Sequence, residues 1–180
     1  EIKELDAKPQ DIPLDICYED EHLLVVNKPK GMVVHPAPGN PDNTLVNAVM
    51  AHCKGRLSSI NSVMRTGIVH RIDKDTSGLL VIAKDDETHI GLSAQLKEHS
   101  MTRIYNCIVN GHFKEKYGVV NAPIGRHKTD RKKMAVTMNN SKHAVTNFEV
   151  IEDLKGYSFV KCILETGRTH QIRVHMSYTG

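Results

Sequence analysis

His70-Arg71-Ile72-Asp73-Lys74-Asp75-Thr76-Ser77-Gly78 runs straight into Leu79-Leu80-Val81-Ile82-Ala83. The second run is apolar and short, the pattern of a buried strand. The first packs two carboxylates, two cations and two hydroxyls ahead of Gly78, which punctuates the turn. A charge-dense loop feeding a buried strand displays reactive groups at the edge of a rigid sheet. Asp73 is the candidate reacting group. Composition alone favours a plainer reading, a solvated Asp/Ser/Thr-rich turn ahead of a strand.

Upstream, Ile12–Tyr18 and Leu23–Asn27 read as a hairpin broken by Glu19-Asp20-Glu21-His22. Lys28-Pro29-Lys30-Gly31 is a turn, and Met32–His35 is expected to be a second short strand. His35–Asn43 holds three prolines and cannot form a regular element. A helix fits Thr44–His52, with Asn43 or Thr44 as its N-cap. Lys54–Arg65 reads as a loop.

Downstream, the acidic start Lys84-Asp85-Asp86-Glu87 and good helix formers predict a helix to about Glu98, although Ile90, Leu92, Ala94 and Leu96 alternate as in a strand. Met101–Val109, Gly118–Val120, Ala144–Ile151 and Tyr157–Glu165 read as strands, the last two hinged at Lys155-Gly156. Arg126–Lys133 is a basic loop. A last helix is expected to start within Thr166-Gly167-Arg168-Thr169 and to carry Gln171, Ile172, Arg173 and Val174. Many strands and three helices imply an α+β domain, a mixed, largely antiparallel sheet with flanking helices and long loops. The expected division is a linker over residues 1–11 and one domain over residues 12–180, with no stop signal for the last helix at Gly180.

The 180 residues are enough for one domain with a sizeable core. No apolar run approaches the roughly 20 residues of a membrane span. Cys17, Cys53, Cys107 and Cys162 are isolated, which argues for a reducing, cytoplasmic setting and against a zinc site. His170 and His175 lie five apart and no His-Glu-x-x-His occurs, so no metal is expected. The net charge of +3 is uneven. Residues 97–180 hold 14 Lys/Arg against 7 Asp/Glu, whereas residues 1–96 hold 10 against 14. A basic half suits a polyanion, although a solvated surface carries such a fluctuation as well.

His-Arg-Ile-Asp-x-x-Thr-Ser-Gly-Leu-Leu at 70–80 resembles the signature of the RluA/RluD-type RNA pseudouridine synthases. The resemblance extends from about Ile12 to the end of the chain. It implies that Asp73 is the catalytic aspartate of an enzyme that isomerises uridine in RNA without a cofactor. Thr166-Gly167-Arg168-Thr169-His170-Gln171-Ile172-Arg173 resembles the family's second signature, whose arginine at the Arg173 position pairs with that aspartate. Tyr105, in Arg103-Ile104-Tyr105, matches the tyrosine that packs on the target base and is a candidate for removing its C5 proton. Arg71 matches the position whose guanidinium enters the space left by the extracted base. Taken alone, Arg173 would be a surface arginine, Tyr105 a core tyrosine and Arg71 a partner for Asp75 or another acid.

Lys28, Arg126, Lys128, Arg131, Lys132 and Lys133 are candidate phosphate contacts, supplying salt-dependent affinity without sequence choice. Asn27-Lys28-Pro29-x-Gly31-x-Val33-Val34-His35 also resembles a family motif, with a structural part around the site. The family continues past the position of Gly180, so the chain is expected to be truncated there. Many related members carry an N-terminal S4 RNA-binding domain, and residues 1–11 fit a linker following one. Large-subunit ribosomal RNA is the favoured substrate, with transfer RNA the alternative, and a monomer is expected. His-Arg-x-Asp resembles the protein-kinase catalytic loop, but that motif has nothing between Arg and Asp, and its companion motifs are missing. Two readings stay open beside the synthase, namely a non-catalytic RNA-binding module and a carboxylate enzyme that releases free base.

Overall fold

The computed structural model of the protein describes residues 7–60, 66–130 and 132–179. Ten strands and three helices occur among them. Two compact units divide the chain, Glu1–Lys97 and Glu98–Gly180. The first holds 11 Lys/Arg against 14 Asp/Glu and the second 13 against 7, so the basic half coincides with the second unit. Among the described residues no helix is long and apolar enough to cross a membrane.

In the first unit, β1 (Ile16–Glu19), β2 (Leu23–Lys28) and β3 (Gly78–Ala83) form an antiparallel sheet in that order. Asp20 fixes the β1–β2 turn, its Oδ1 accepting from the backbone N–H groups of His22 and Leu23 at 2.8 Å each. Between β2 and β3 the register runs from Leu23 opposite Ala83 to Lys28 opposite Gly78. Leu24, Val26, Leu80 and Ile82 point inward and are fully buried, as are Leu45, Val46 and Val49 of α1 (Leu45–Cys53). Thr44 caps α1 in a reciprocal box with Asn47, as the expected N-cap requires.

Met32–His35 is not the strand expected of it. The carbonyls of Val33 and Val34 instead accept from the N–H groups of Leu45 and Val46 at 2.9 Å. Those donors open α1 and have no partner inside the helix, so this stretch is spent on the helix start, not on a sheet ladder. The helix after β3 is α2 (Asp86–Lys97), begun by the Asp85 carboxylate accepting from the Thr88 N–H at 2.7 Å. Leu92 is buried and Ile90 exposed, so helical phase overrides the alternation in the sequence.

The second unit is built on an antiparallel sheet, β4 (Arg103–Asn110), β10 (Tyr157–Leu164), β9 (Val145–Leu154) and β5 (Tyr117–Asn121) in spatial order. Lys155-Gly156 makes a tight β9–β10 turn, with Gly156 at φ +78°. A small sheet places β6 (Ile124–Arg126) between β7 (Met134–Val136) and β8 (Ser141–Lys142). α3 (Gln171–Thr179) lies against a cluster of Val120, Ala122, Val160, Cys162 and Met176, ringed by Tyr105, Cys107, Phe148 and Ile172. Every ladder between named strands is antiparallel, in accord with the α+β expectation.

Candidate active site

In the first unit, Asp73 sits in the loop that enters β3, and the loop is held at several points. Ile72, just before Asp73, is buried. His70 Nε2 accepts the Val81 N–H at 3.0 Å, so a neutral ring carries its proton on Nδ1. Past Asp73, the Thr76 N–H donates to the Asp73 carbonyl at 3.1 Å and closes a turn. The Lys74 carbonyl accepts from the Gly31 N–H at 2.8 Å and from Lys28 Nζ at 3.1 Å. Asp73 itself is half-buried. Arg71 is exposed, with its guanidinium 3.3 Å from His35 Nε2.

Lys28 corrects a sequence expectation. It is fully buried, and its ammonium donates to the carbonyls of Pro29, Met32 and Lys74 at 2.9, 2.8 and 3.1 Å. All three protons are committed, so Lys28 cannot serve as a phosphate contact. Burial pushes its pKa down, and the carboxylates of Asp75 and Asp73 oppose that shift.

Tyr105 and Arg173 belong to the second unit. Tyr105 stands on β4 opposite Cys162 of β10, half-buried against the apolar cluster. Arg173 is on the exposed side of α3. The buried side of that helix carries two polar anchors beside Met176. Gln171 accepts from the Thr166 hydroxyl at 2.8 Å and the Arg168 N–H at 2.9 Å, and donates to the Val145 carbonyl at 2.9 Å and Thr146 Oγ1 at 3.0 Å. His175 Nδ1 accepts from the Thr146 hydroxyl at 2.8 Å, and its Nε2–H donates to the Ala122 carbonyl at 2.9 Å. Burial pushes the His175 pKa down, consistent with this neutral form. The sequence reading named neither Gln171 nor His175 as an anchor, although their i, i+4 spacing puts both on one helix face.

The basic loop joins β6 and β7 as a hairpin in which the His127 N–H donates to the Lys133 carbonyl at 3.0 Å. Arg126, Lys128, Lys132 and Lys133 are all exposed on it, and Lys133 forms a loose ion pair with Asp130 at 3.6 Å. Arg131 lies outside the described residues.

The sequence pattern of RNA pseudouridylate synthases matches residues 22–178. The chain belongs to that family. The matched range contains every candidate residue of this synthase-family chain, from Lys28 to Arg173. "Ribosomal large subunit pseudouridine synthase D" of Zymomonas mobilis is 60% identical over 174 residues, which are 96% of the chain and 55% of that protein. "Uncharacterized RNA pseudouridine synthase YlyB" of Bacillus subtilis is 56% identical over 180 residues, 100% of the chain and 59% of that protein. Among solved structures, Human RNA Pseudouridylate Synthase Domain Containing 1 superimposes with a TM-score of 0.76 at 27% identity, covering 95% of the chain and 67% of that structure. The synthase-family chain therefore spans little more than half the length of the curated relatives it matches.

Proposed function

We propose that the chain is the catalytic region of an enzyme that converts specific uridines to pseudouridine in large-subunit ribosomal RNA; residues 7–11, expected to be a linker, instead pack on α1, with Ala7 buried and Lys8 and Gln10 bonded to Asn47. The observation that carries this reading is the family match over residues 22–178, which contains Asp73 in a loop fixed before and after it. The 60% identity to a protein named for the large ribosomal subunit supports the choice of RNA.

The isomerisation breaks the bond from N1 to C1′, turns the uracil, and joins C5 to C1′. The C5 proton leaves and N1 gains one, so nothing is added and no electrons are exchanged. Asp73 supplies the carboxylate, a known nucleophile at glycosidic centres. The family resemblance assigns Arg173 as the partner of that carboxylate, a task to which a planar guanidinium is suited. Tyr105 packs on the target base and takes part in removing the C5 proton. A phenol has an ordinary pKa of about 10, so this step depends on the phenol's setting within the site.

Extraction of the uridine costs a few kcal/mol, offset by stacking and by the Arg71 guanidinium in the vacated space. Arg126, Lys128, Lys132 and Lys133 bind phosphates along the RNA, and Arg131 is assigned with them. The enzyme is proposed to work without a cofactor, as a cytoplasmic monomer. The test follows tritium released from C5-labelled ribosomal and transfer RNA transcripts by the full-length protein. Release together with pseudouridine in the digested product supports the proposal, and the preferred transcript identifies the RNA class. Free uracil would point to a hydrolase. Tight RNA binding with no release would point to a binding module.

A further inference from the structure

We propose that the outward face of the four-stranded sheet in the second unit pairs with the same face of a second copy of this chain. The inference stands on that sheet alone and is independent of the role given to Asp73.

An antiparallel sheet commonly packs one face on a core and turns a polar face to water. The inner face here follows that rule, with Tyr105, Cys107, Val160 and Cys162 gathered against Ile172 and Met176 of α3. The outer face does not. Ile104 and Ile108 of β4, Tyr157 and Ile163 of β10, and Tyr117 and Val119 of β5 share it, each 37–65% exposed. A contiguous apolar patch of this extent marks an interaction surface. Among the described residues of the four strands, the charged side chains on that face are Lys161, Glu149 and Glu152, and Lys161 pairs with Glu149 at 4.0 Å.

Charge and register select a second copy as the occupant. The second unit holds 13 Lys/Arg against 7 Asp/Glu, so two copies repel wherever their cations meet. This face carries one cation and two carboxylates, so like-charged copies can approach on it. It offers phosphates almost nothing. Its rows are also self-complementary. Ile104, Ile163, Asn147 and Val119 lie side by side across β4, β10, β9 and β5, and Asn106, Lys161, Glu149 and Tyr117 form the next row. A two-fold axis running along the strands, between β10 and β9, stacks the sheets in the aligned manner of a sandwich. It lays Ile104 over Val119 of the second copy and Lys161 over Glu149 of the second copy, twice each.

The area fits a weak pair. Four strands about 4.8 Å apart and about 26 Å long outline about 500 Å² per copy. Two copies then cover about 1,000 Å², the lower bound for a specific interface, which places the dissociation constant at about 10–100 µM. Dilute enzyme lies below that range, so the working form stays the monomer and the pair belongs to concentrated protein.

The experiment follows sedimentation velocity of the full-length protein from about 1 to 300 µM. The wild type is expected to pass from one copy to two across that range. Ile108→Glu with Val119→Glu should weaken pairing at least ten-fold, while tritium release at nanomolar enzyme stays within two-fold of the wild type. Lys161→Glu and Glu149→Lys should each pair less well alone, because like charges then face each other, and should pair again when mixed in equal amounts. That rescue needs the two side chains to meet across the interface, and it decides the matter if the apolar variant fails to fold. A wild type that stays a single copy at 300 µM overturns the proposal and leaves the face to another segment of the full-length chain or to another protein. Pairing undiminished in the folded Ile108→Glu, Val119→Glu variant, or no gain on mixing the two charge variants, overturns it as well.

Discussion

Asp73→Asn keeps the volume of the side chain and removes its charge, so it separates chemistry from support of the loop. Turnover is expected to fall by roughly four to six orders of magnitude, the scale on which losing a member of a catalytic constellation is felt. RNA affinity should stay within a few-fold, because phosphate contacts elsewhere supply it. Tritium release and filter binding on one preparation check both halves, and equal loss of both would make Asp73 structural. The polar loop that carries Asp73 was legible because charged and hydroxyl side chains crowd ahead of Gly78 and an apolar strand. Lys28 was not, because lysine in a Lys-Pro-x-Gly turn reads as exposed. Its phase held the missing signal: Leu24, Val26 and Lys28 alternate along β2 and share its buried face. Thr44 was readable for the opposite reason, since a capping side chain acts within three residues of itself.

At the scale of elements, the β6–β7 hairpin presents Arg126, Lys128, Lys132 and Lys133 on its exposed side, so their loss should change affinity without changing the fold. Lys132→Glu with Lys133→Glu is expected to lower the log–log salt slope of RNA binding by about 2, with kcat on saturating RNA unchanged. Titrations at several salt concentrations measure it, and an unaltered slope removes the hairpin from the contacts. The two strands were missed because each has three residues and Gly125 interrupts β6, leaving no periodicity to count. α3 shows another limit of sequence patterns. Its start was expected within 166–169, but the helix begins at Gln171, whose amide oxygen is occupied by the Thr166 hydroxyl and the Arg168 N–H. Gln171→Leu strands those donors and leaves the Val145 carbonyl with only the longer bond from the Glu165 N–H. It should cost on the order of 3 kcal/mol in urea denaturation, well beyond a surface glutamine, for which a change under 0.5 kcal/mol is typical.

For the molecule as a whole, each unit carries a buried imidazole. His89 of α2 is 2% exposed and His175 of α3 is 0% exposed, and burial pushes both pKa values below the ordinary 6.5. In the unfolded chain these rings take up protons near pH 6.5, whereas in the folded chain they resist until lower pH. Between those limits the unfolded state binds more protons, so stability falls as pH drops below about 6.5. His22 acts the other way, because the Asp85 carboxylate raises its pKa, but that pair is exposed and screened. The carboxylates held below their ordinary values, Glu19, Asp20, Asp85 and Asp153, lose their contributions only near pH 4 and below. The window from pH 6.5 down to 5 therefore reports the buried imidazoles. Urea midpoints are expected to fall across it at constant ionic strength. His175→Gln supplies an amide that can both donate to the Ala122 carbonyl and accept from Thr146 without titrating, and should flatten part of that fall. An equally steep fall in the variant would mean that His175 is protonated in the fold, with Nδ1–H turned toward Thr146 and the hydroxyl proton directed elsewhere.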